Sequence, residues 1–109
     1  MKLKVTGRNI EVTDAIKNHL DKIIDKSFLR LGESTGVHVS LHVEKYRHMA
    51  EVTVKTKGFT AHATDETGDL YITMDNAFGK IEKKLKKYKE RAEDQKIKNG
   101  FVTKNIIDN

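Results

Sequence analysis

Residues 37–45, VHVSLHVEK, decide the fold, because apolar and polar side chains alternate there without interruption. A period of two is typical of a β-strand that buries one face and exposes the other. The apolar face consists of Val37, Val39, Leu41 and Val43, and the polar face of His38, Ser40, His42 and Glu44. The pattern therefore predicts a strand in a sheet that has one solvated side.

Two further strands are predicted to follow this strand and to form a meander with it. The next covers residues 49–57 after a turn at 46–48, and the last runs from Phe59 to Thr64 after a tight hairpin at 57–58. The residues that point inward from these two strands are Ala50, Val52, Val54, Phe59, Ala61 and Ala63. Three such strands are typical of an antiparallel sheet with one apolar face.

A short strand and a helix are predicted to precede the meander. Residues 2–6, KLKVT, alternate as a strand does, and Thr13 is a good N-cap for a helix over residues 14–31. The apolar face of this helix consists of Ile16, Leu20, Ile23, Ile24, Ser27, Phe28 and Leu31. Because strand-helix-strand crossovers are right-handed, the first strand is expected to lie beside the second and parallel to it.

A longer helix is predicted after a loop at residues 65–68. Asp69 is expected to cap this helix or to lie in its first turn, and Asn99-Gly100 is expected to end it. Its apolar residues recur at alternating steps of three and four, at Tyr71, Met74, Phe78, Ile81, Leu85, Tyr88 and Ala92. This stripe, with both of its tyrosines, is expected to lie in the core.

The predicted order is β-α-β-β-β-α. It indicates an α+β fold in which a four-stranded mixed sheet carries two helices packed on one face. A chain of 109 residues fits one domain, which we assign to residues 1–98, with a short C-terminal tail at 99–109. The chain has no cysteine, no apolar run of about 20 residues and no signal peptide. These features favour a soluble cytoplasmic protein with no membrane partner.

The positive charge of the chain is concentrated in one segment. Residues 80–98 hold nine Lys and Arg against four Asp and Glu, whereas the whole chain holds 21 against 16. The excess of five in this segment therefore equals the excess of the whole chain, and the remainder is neutral. Such a localised basic surface is typical of a protein that binds a polyanion, most often nucleic acid.

Helical geometry sorts this charge onto one flank of the apolar stripe. At about 100° per residue, that flank carries Lys80, Lys83, Lys84, Lys87 and Arg91, whereas the opposite flank mixes both signs. From Lys80 to Arg91 the row spans about 16 Å, which is long enough to face several phosphates. The alternative is a solvated, lysine-rich face that only keeps the domain soluble.

Two weaker candidates for RNA contact lie elsewhere. Lys22, Lys26 and Arg30 form a second basic row on the first helix, although neighbouring aspartates dilute its charge. If the two helices pack side by side, the two rows are expected to combine. Arg47, at the predicted loop tip between Tyr46 and His48, is placed to meet a phosphate or an unpaired base.

The sequence offers no catalytic or metal-binding pattern. His38 and His42 share one face of a strand but are about 13 Å apart at ~3.3 Å per residue, which is too far to share a zinc ion. The chain contains no HExxH, GxSxG, Walker or dinucleotide-binding motif. We therefore expect no enzymatic activity, no cofactor and no metal.

Three segments resemble the ribosome hibernation promoting factor family, which includes the ribosome-associated inhibitor and proteins labelled sigma-54 modulation protein. They are MKLKVTGRNIEVTDAI at 1–16, VHVSLHVEKYRH at 37–48 and DLYITMDNAFGKIEKKLKKYKER at 69–91. The resemblance covers residues 1–95. Its most specific parts are TGRNIEVTDAI and the start of the second helix, from Asp69 to Asp75, followed by the lysines.

The resemblance implies a bacterial stress or stationary-phase protein that binds the small ribosomal subunit and its rRNA. Such a protein lies in the groove used by messenger and transfer RNA, and it silences translation. The basic second-helix positions of the family fall on Lys80, Lys83, Lys84, Lys87 and Arg91. The free protein is expected to be a monomer.

Two features of the family are not seen in this chain. The long form carries a second, dimerising domain, and the ribosome-associated inhibitor carries an acidic C-terminal extension. Here residues 100–109 are short and neutral. Promotion of ribosome dimers and the holding of single ribosomes idle therefore both stay open.

Two other functions fit the residues less well. A general double-stranded RNA-binding domain shares the α-β-β-β-α order, but it places its lysines at the start of the last helix, where this chain has Asp69-Leu70-Tyr71. A protein-interaction module would use an exposed sheet edge or the tail to self-associate.

Overall fold

The computed structural model describes residues 2–28, 31–32 and 34–100, with side chains described as far as residue 90. Its elements are β1 (Lys2–Arg8), α1 (Asp14–Ser27), β2 (Gly36–Glu44), β3 (Arg47–Thr56), β4 (Phe59–Thr67) and α2 (Leu70–Gly100). The predicted β-α-β-β-β-α order is confirmed.

The four strands form one mixed sheet in the order β1-β2-β3-β4. β1 is parallel to β2, as the crossover through α1 predicts, and the other two pairs are antiparallel. Val5 lies opposite Val39, Val39 opposite Val52, and Val52 opposite Ala63. This register places an apolar row across all four strands on one face, which is why the helices cover that face.

Both helices pack against this apolar face and share one core with it. The central residues of the core are Leu20, Phe28, Val39, Leu41, Val52, Val54, Met74, Phe78 and Ile81. Phe28, just after α1, and Phe78 of α2 meet with their ring centroids 5.6 Å apart. The α+β fold with both helices on one side of the sheet is thus confirmed.

Each helix begins at the cap that the sequence predicts. Thr13 Oγ1 accepts a hydrogen bond from the backbone N–H of Ile16 at 3.2 Å. Asp69 Oδ1 accepts two, from the N–H groups of Tyr71 at 2.9 Å and Ile72 at 3.2 Å. These oxygens satisfy backbone donors that have no partner within a helix.

The first helix is shorter than predicted, ending at Ser27 rather than at residue 31. Phe28 still donates its N–H to the carbonyl of Ile24, but its φ and ψ of −123° and −2° leave the helical region. The chain turns there, with the N–H of Leu31 bonded to the carbonyl of Phe28 at 3.1 Å. The turn allows Phe28 to be fully buried.

Several strand boundaries also differ from the prediction. The turn between β2 and β3 consists of Lys45 and Tyr46, with Lys45 at a φ of +55°, so Arg47 and His48 belong to β3. β1 continues to Arg8 and β4 to Thr67, so residues 65–67 are strand rather than loop. In each case ladder pairing with the neighbouring strand continues beyond the alternating apolar segment.

The two tyrosines of α2 border the core instead of lying inside it. Tyr71 and Tyr88 are each 39% exposed, which corrects the prediction that both are buried. Tyr71 packs edge-on against His19 at 5.0 Å, and Tyr88 packs against Phe59 at 4.9 Å. Each ring therefore closes one margin of the core while its hydroxyl is free to meet water.

The second helix is long but strongly charged. It has 31 residues, which corresponds to about 46 Å. Within the ranges given above, neither helix combines the length and the apolar character that crossing a bilayer requires.

Candidate nucleic-acid interface

One flank of α2 faces the outer edge of β4, and two of the predicted lysines reach that edge. Lys80 Nζ donates to the carbonyl oxygen of Thr64 at 2.6 Å, and Lys84 Nζ donates to that of His62. β4 is the last strand of the sheet, so carbonyls that point away from β3 have no strand partner. The two ammonium groups therefore cap the edge of the sheet.

The ammonium groups of Lys80 and Lys84 have further N–H donors that these contacts do not use. An ammonium has three N–H donors; Lys80 uses two, to Thr64 and Asp65, and Lys84 uses one. Lys80 is also half exposed. Both cations thus retain donors for a phosphate, and their positions are set by β4 before any ligand binds. Less side-chain entropy is lost on binding when a group is already held in place.

Asp65 offsets part of this charge. Its carboxylate accepts hydrogen bonds from Asn76 Nδ2 at 3.0 Å and from Lys80 Nζ at 3.1 Å. The Asn76 contact, and after it that of Lys80, lowers the pKa of Asp65. Asp65 is therefore ionised at neutral pH, and the net positive charge of this flank rests mainly on Lys83, Lys84 and Lys87.

Lys83 and Lys87 complete the described part of the row. Both are exposed, and Lys87 borders a shallow groove of about 250 Å³ together with Lys84, Phe59 and Tyr88. The row from Lys80 to Lys87 spans about 10 Å. The fifth predicted member, Arg91, has a side chain that lies outside the described residues. We name this set, Lys80, Lys83, Lys84 and Lys87, the α2 lysine row.

The basic row of α1 does not join the α2 lysine row. α1 packs against the other flank of α2, where Ser27 shares a concavity of about 420 Å³ with Glu82 and Lys86. Lys22 and Lys26 are exposed on α1, and Arg30 lies outside the described residues. For the described members of the two rows, the expected combination is therefore not formed, because the body of α2 stands between Lys22 and Lys26 on one side and the α2 lysine row on the other.

Arg47 forms an ion pair instead of standing free at a loop tip. Its Nε and Nη2 donate to the two carboxylate oxygens of Glu66 at 3.0 and 2.9 Å. This bidentate contact raises the pKa of Arg47 and lowers that of Glu66. Beside it, Tyr46 is 88% exposed at the turn. A phosphate at Arg47 has to compete with Glu66.

The sheet face without helices carries three lysines that the sequence pattern alone does not mark as a binding site. They are Lys2, Lys4 and Lys55, all exposed. The alternation of β1 and β3 predicts that the three lysines share the solvated face, but whether they lie close together depends on the register across three strands.

Among the described residues, no three His, Asp or Glu side chains are grouped as a metal site requires.

Comparison with known proteins identifies the family to which this arrangement belongs. Residues 3–93 match the family model described as Sigma 54 modulation protein / S30EA ribosomal protein. The match covers β1 from Leu3 onward, α1, β2 to β4 and the α2 lysine row.

Two curated relatives have related names but different lengths. The ribosome hibernation promotion factor of Lactococcus lactis is 36% identical over 111 residues, which cover 98% of this chain and 59% of the relative. The ribosome hibernation promoting factor of Escherichia coli is 31% identical over 91 residues, which cover 84% of this chain and 96% of the relative. The chain thus spans little more than half of the longer relative.

Two solved structures share the fold. A ribosomal subunit interface protein from Coxiella burnetii matches with a TM-score of 0.71 at 26% identity, over 83% of this chain and 99% of that one. The N-terminal domain of Thermus thermophilus Protein Y matches with a TM-score of 0.73 at 29% identity, over 81% of this chain and 99% of that one.

Proposed function

The chain belongs to the Sigma 54 modulation protein / S30EA ribosomal protein family, and from this membership we propose that it is a ribosome hibernation factor. It binds the small ribosomal subunit in the groove used by messenger and transfer RNA, and it silences translation by occupying that groove. The curated relatives, named as hibernation factors, support the proposal. Its place of action is the cytoplasm, and its role is not enzymatic.

The observation that carries the proposal is the α2 lysine row. Four lysines lie on one flank of one helix, two of them held by carbonyls of the β4 edge. Ammonium groups at fixed positions suit the phosphate oxygens of rRNA, whose backbone and shape they contact rather than its sequence. Binding of this kind blocks the groove sterically and requires no chemical step.

The test compares two variants of equal charge. Lys83→Glu with Lys87→Glu reverses two charges on the α2 lysine row without touching the contacts of Lys80 and Lys84. The control, Lys86→Glu with Lys89→Glu, reverses two charges on the flank beside α1. We expect the first variant to lose co-sedimentation with purified bacterial small subunits and the control to retain most of it. Equal binding by both variants would contradict the proposal.

A sucrose gradient of whole ribosomes extends the test to the mode of action. Addition of the protein produces either paired ribosomes or single ribosomes that carry the factor, and the two sediment differently. Competition with arbitrary duplex RNA separates a ribosome-specific factor from a general double-stranded RNA binder. We expect duplex RNA to compete poorly against small subunits.

A further inference from the structure

The sheet face without helices gathers its lysines at one end. In the register of the sheet, Lys2 lies opposite Gly36, and Gly36 lies opposite Lys55. In the adjacent row on the same face, Lys4 lies opposite His38. Two lysines of β1 and one of β3 thus surround one glycine of β2.

Gly36 opens a notch between these lysines. It has no side chain, and a Cβ built at this position meets no atom within 4 Å. Because neighbouring strands are about 4.8 Å apart, the backbones of Lys2 and Lys55 are about 10 Å apart across this notch. The result is a shallow groove of about 360 Å³, whose lining includes Lys2, Lys4, Gly36, His38, Thr53 and Lys55. We name it the sheet groove.

Among the described residues, two carboxylates of this face lie away from the sheet groove and have partners there. Glu66 pairs with Arg47 at 2.9 Å, and Glu51 lies 3.5 Å from His62 Nε2. None of the ion pairs found among the described residues involves the three lysines of the groove. As far as the structure describes this end of the face, its two cross-strand rows hold three lysines and no carboxylate, although the face as a whole carries both signs.

The sheet groove lies at the same end of the molecule as Lys84 and Lys87 of the α2 lysine row. Lys84 reaches the carbonyl of His62, and His62 lies in the same cross-strand row as Lys4. Near the adjoining hairpin, Phe59 packs on Tyr88. The α2 lysine row thus lies along the outer edge of β4, whereas the sheet groove lies across β1, β2 and β3 on the uncovered face, with Lys55 of β3 as its lysine nearest to β4.

We propose that the sheet groove binds a second stretch of RNA backbone, so that the protein holds RNA both at the β4 edge and on the uncovered face of the sheet. The inference rests on the proposed function, because the α2 lysine row supplies the first contact. The three ammonium groups donate to phosphate oxygens, and the absent side chain at Gly36 lets the backbone approach the sheet closely. The second contact fixes the orientation of the protein in its binding groove, which one helical row alone does not.

The test compares two triple variants of equal net charge. Lys2→Gln, Lys4→Gln and Lys55→Gln remove the groove cations, whereas Lys17→Gln, Lys86→Gln and Lys89→Gln remove three cations elsewhere. Binding to purified small subunits is measured against salt concentration. Loss of three phosphate contacts lowers the magnitude of the log K against log salt slope by about 2–3. We expect this decrease for the groove variant and little change for the control, and equal slopes would overturn the inference.

A second measurement locates the RNA directly. The chain has no cysteine, so Thr60→Cys introduces a single thiol beside Lys55 without filling the notch at Gly36, and Glu44→Cys provides a control at the far end of β2. A tethered iron chelate that cleaves rRNA from position 60 but not from position 44 supports the inference. Absence of cleavage from position 60 in bound protein overturns it. Failure of the wild-type protein to bind small subunits would instead refute the proposed function.

Discussion

His19 of α1 and Asp75 of α2 are joined by a hydrogen bond of 2.7 Å between Nε2 and Oδ1. The same imidazole meets the ring of Tyr71 edge-on, with the two planes at 85°. One side chain of α1 thus makes a polar and an aromatic contact with α2. These contacts fix how the two helices are placed along each other on the sheet.

The first prediction concerns this link. His19→Ala should lower the free energy of unfolding by about 1 kcal/mol, because one hydrogen bond and one aromatic contact are lost. Urea unfolding measures the change, and Asn18→Ala, also on α1 but exposed, is the control. A double-mutant cycle with Asp75→Ala should give a coupling of about 0.5 kcal/mol or more. Additive effects of the two changes would contradict the assignment.

The second prediction concerns the start of α2. Asp69→Ala removes the acceptor of two backbone N–H groups and should cost about 1 kcal/mol of stability. Asp69→Asn should retain nearly all of it, because asparagine caps helices about as well as aspartate. Thermal unfolding followed by circular dichroism distinguishes the two variants. Equal losses of stability in both variants would show that Asp69 stabilises the helix through its charge rather than through the hydrogen bonds of the cap.

The third prediction concerns acid stability. The hydrogen bonds from Arg47 lower the pKa of Glu66 below that of a glutamate in the unfolded chain. A group with a lowered folded pKa stabilises the fold above its unfolded pKa, and this contribution is lost as pH falls through the folded pKa. Glu66→Gln should therefore lower Tm near neutral pH, and its effect should shrink as the pH falls through the lowered pKa of the folded state. A Tm difference that is independent of pH would contradict this account.

The fourth prediction concerns the edge of the sheet. Lys80→Ala with Lys84→Ala uncovers carbonyls of β4 and should promote edge-to-edge pairing of two molecules. Lys83→Ala with Lys87→Ala removes the same charge and leaves the edge capped. Light scattering at increasing concentration should show self-association for the first variant only. If both variants stay monomeric, Lys80 and Lys84 are not needed to prevent pairing at the edge of β4.

The fold could be predicted from the sequence because its alternating segments and apolar helical stripes are distinct. The inward positions of β2 and β3 were predicted residue by residue, and Val39, Leu41 and Val52 are fully buried. Boundaries were harder to predict, because pairing continues where the pattern stops. Thr67 extends β4 opposite His48, and a lysine at a φ of +55° forms the turn that was expected one residue later.

The candidate site was only partly predictable. Helical spacing alone placed Lys80 and Lys84 on one flank of α2. That the same flank lies along β4, within reach of the carbonyls of His62 and Thr64, depends on how the helix crosses the sheet. The burial of Thr35 and Thr73 is not predictable from the sequence for a similar reason. The Thr35 hydroxyl donates to that of Thr56, and the Thr73 hydroxyl donates to the carbonyl of His48, so both partners are in distant segments.

The position of α2 at the end of the element order has a consequence for biosynthesis. α2 covers β3 and β4, yet it follows both strands in the chain and is translated after them. While the nascent chain is being made, the apolar faces of those two strands have no cover of their own. Residues 70–100 must leave the ribosome before the meander is shielded from other apolar surfaces, so the nascent chain passes through an interval in which it is exposed to aggregation.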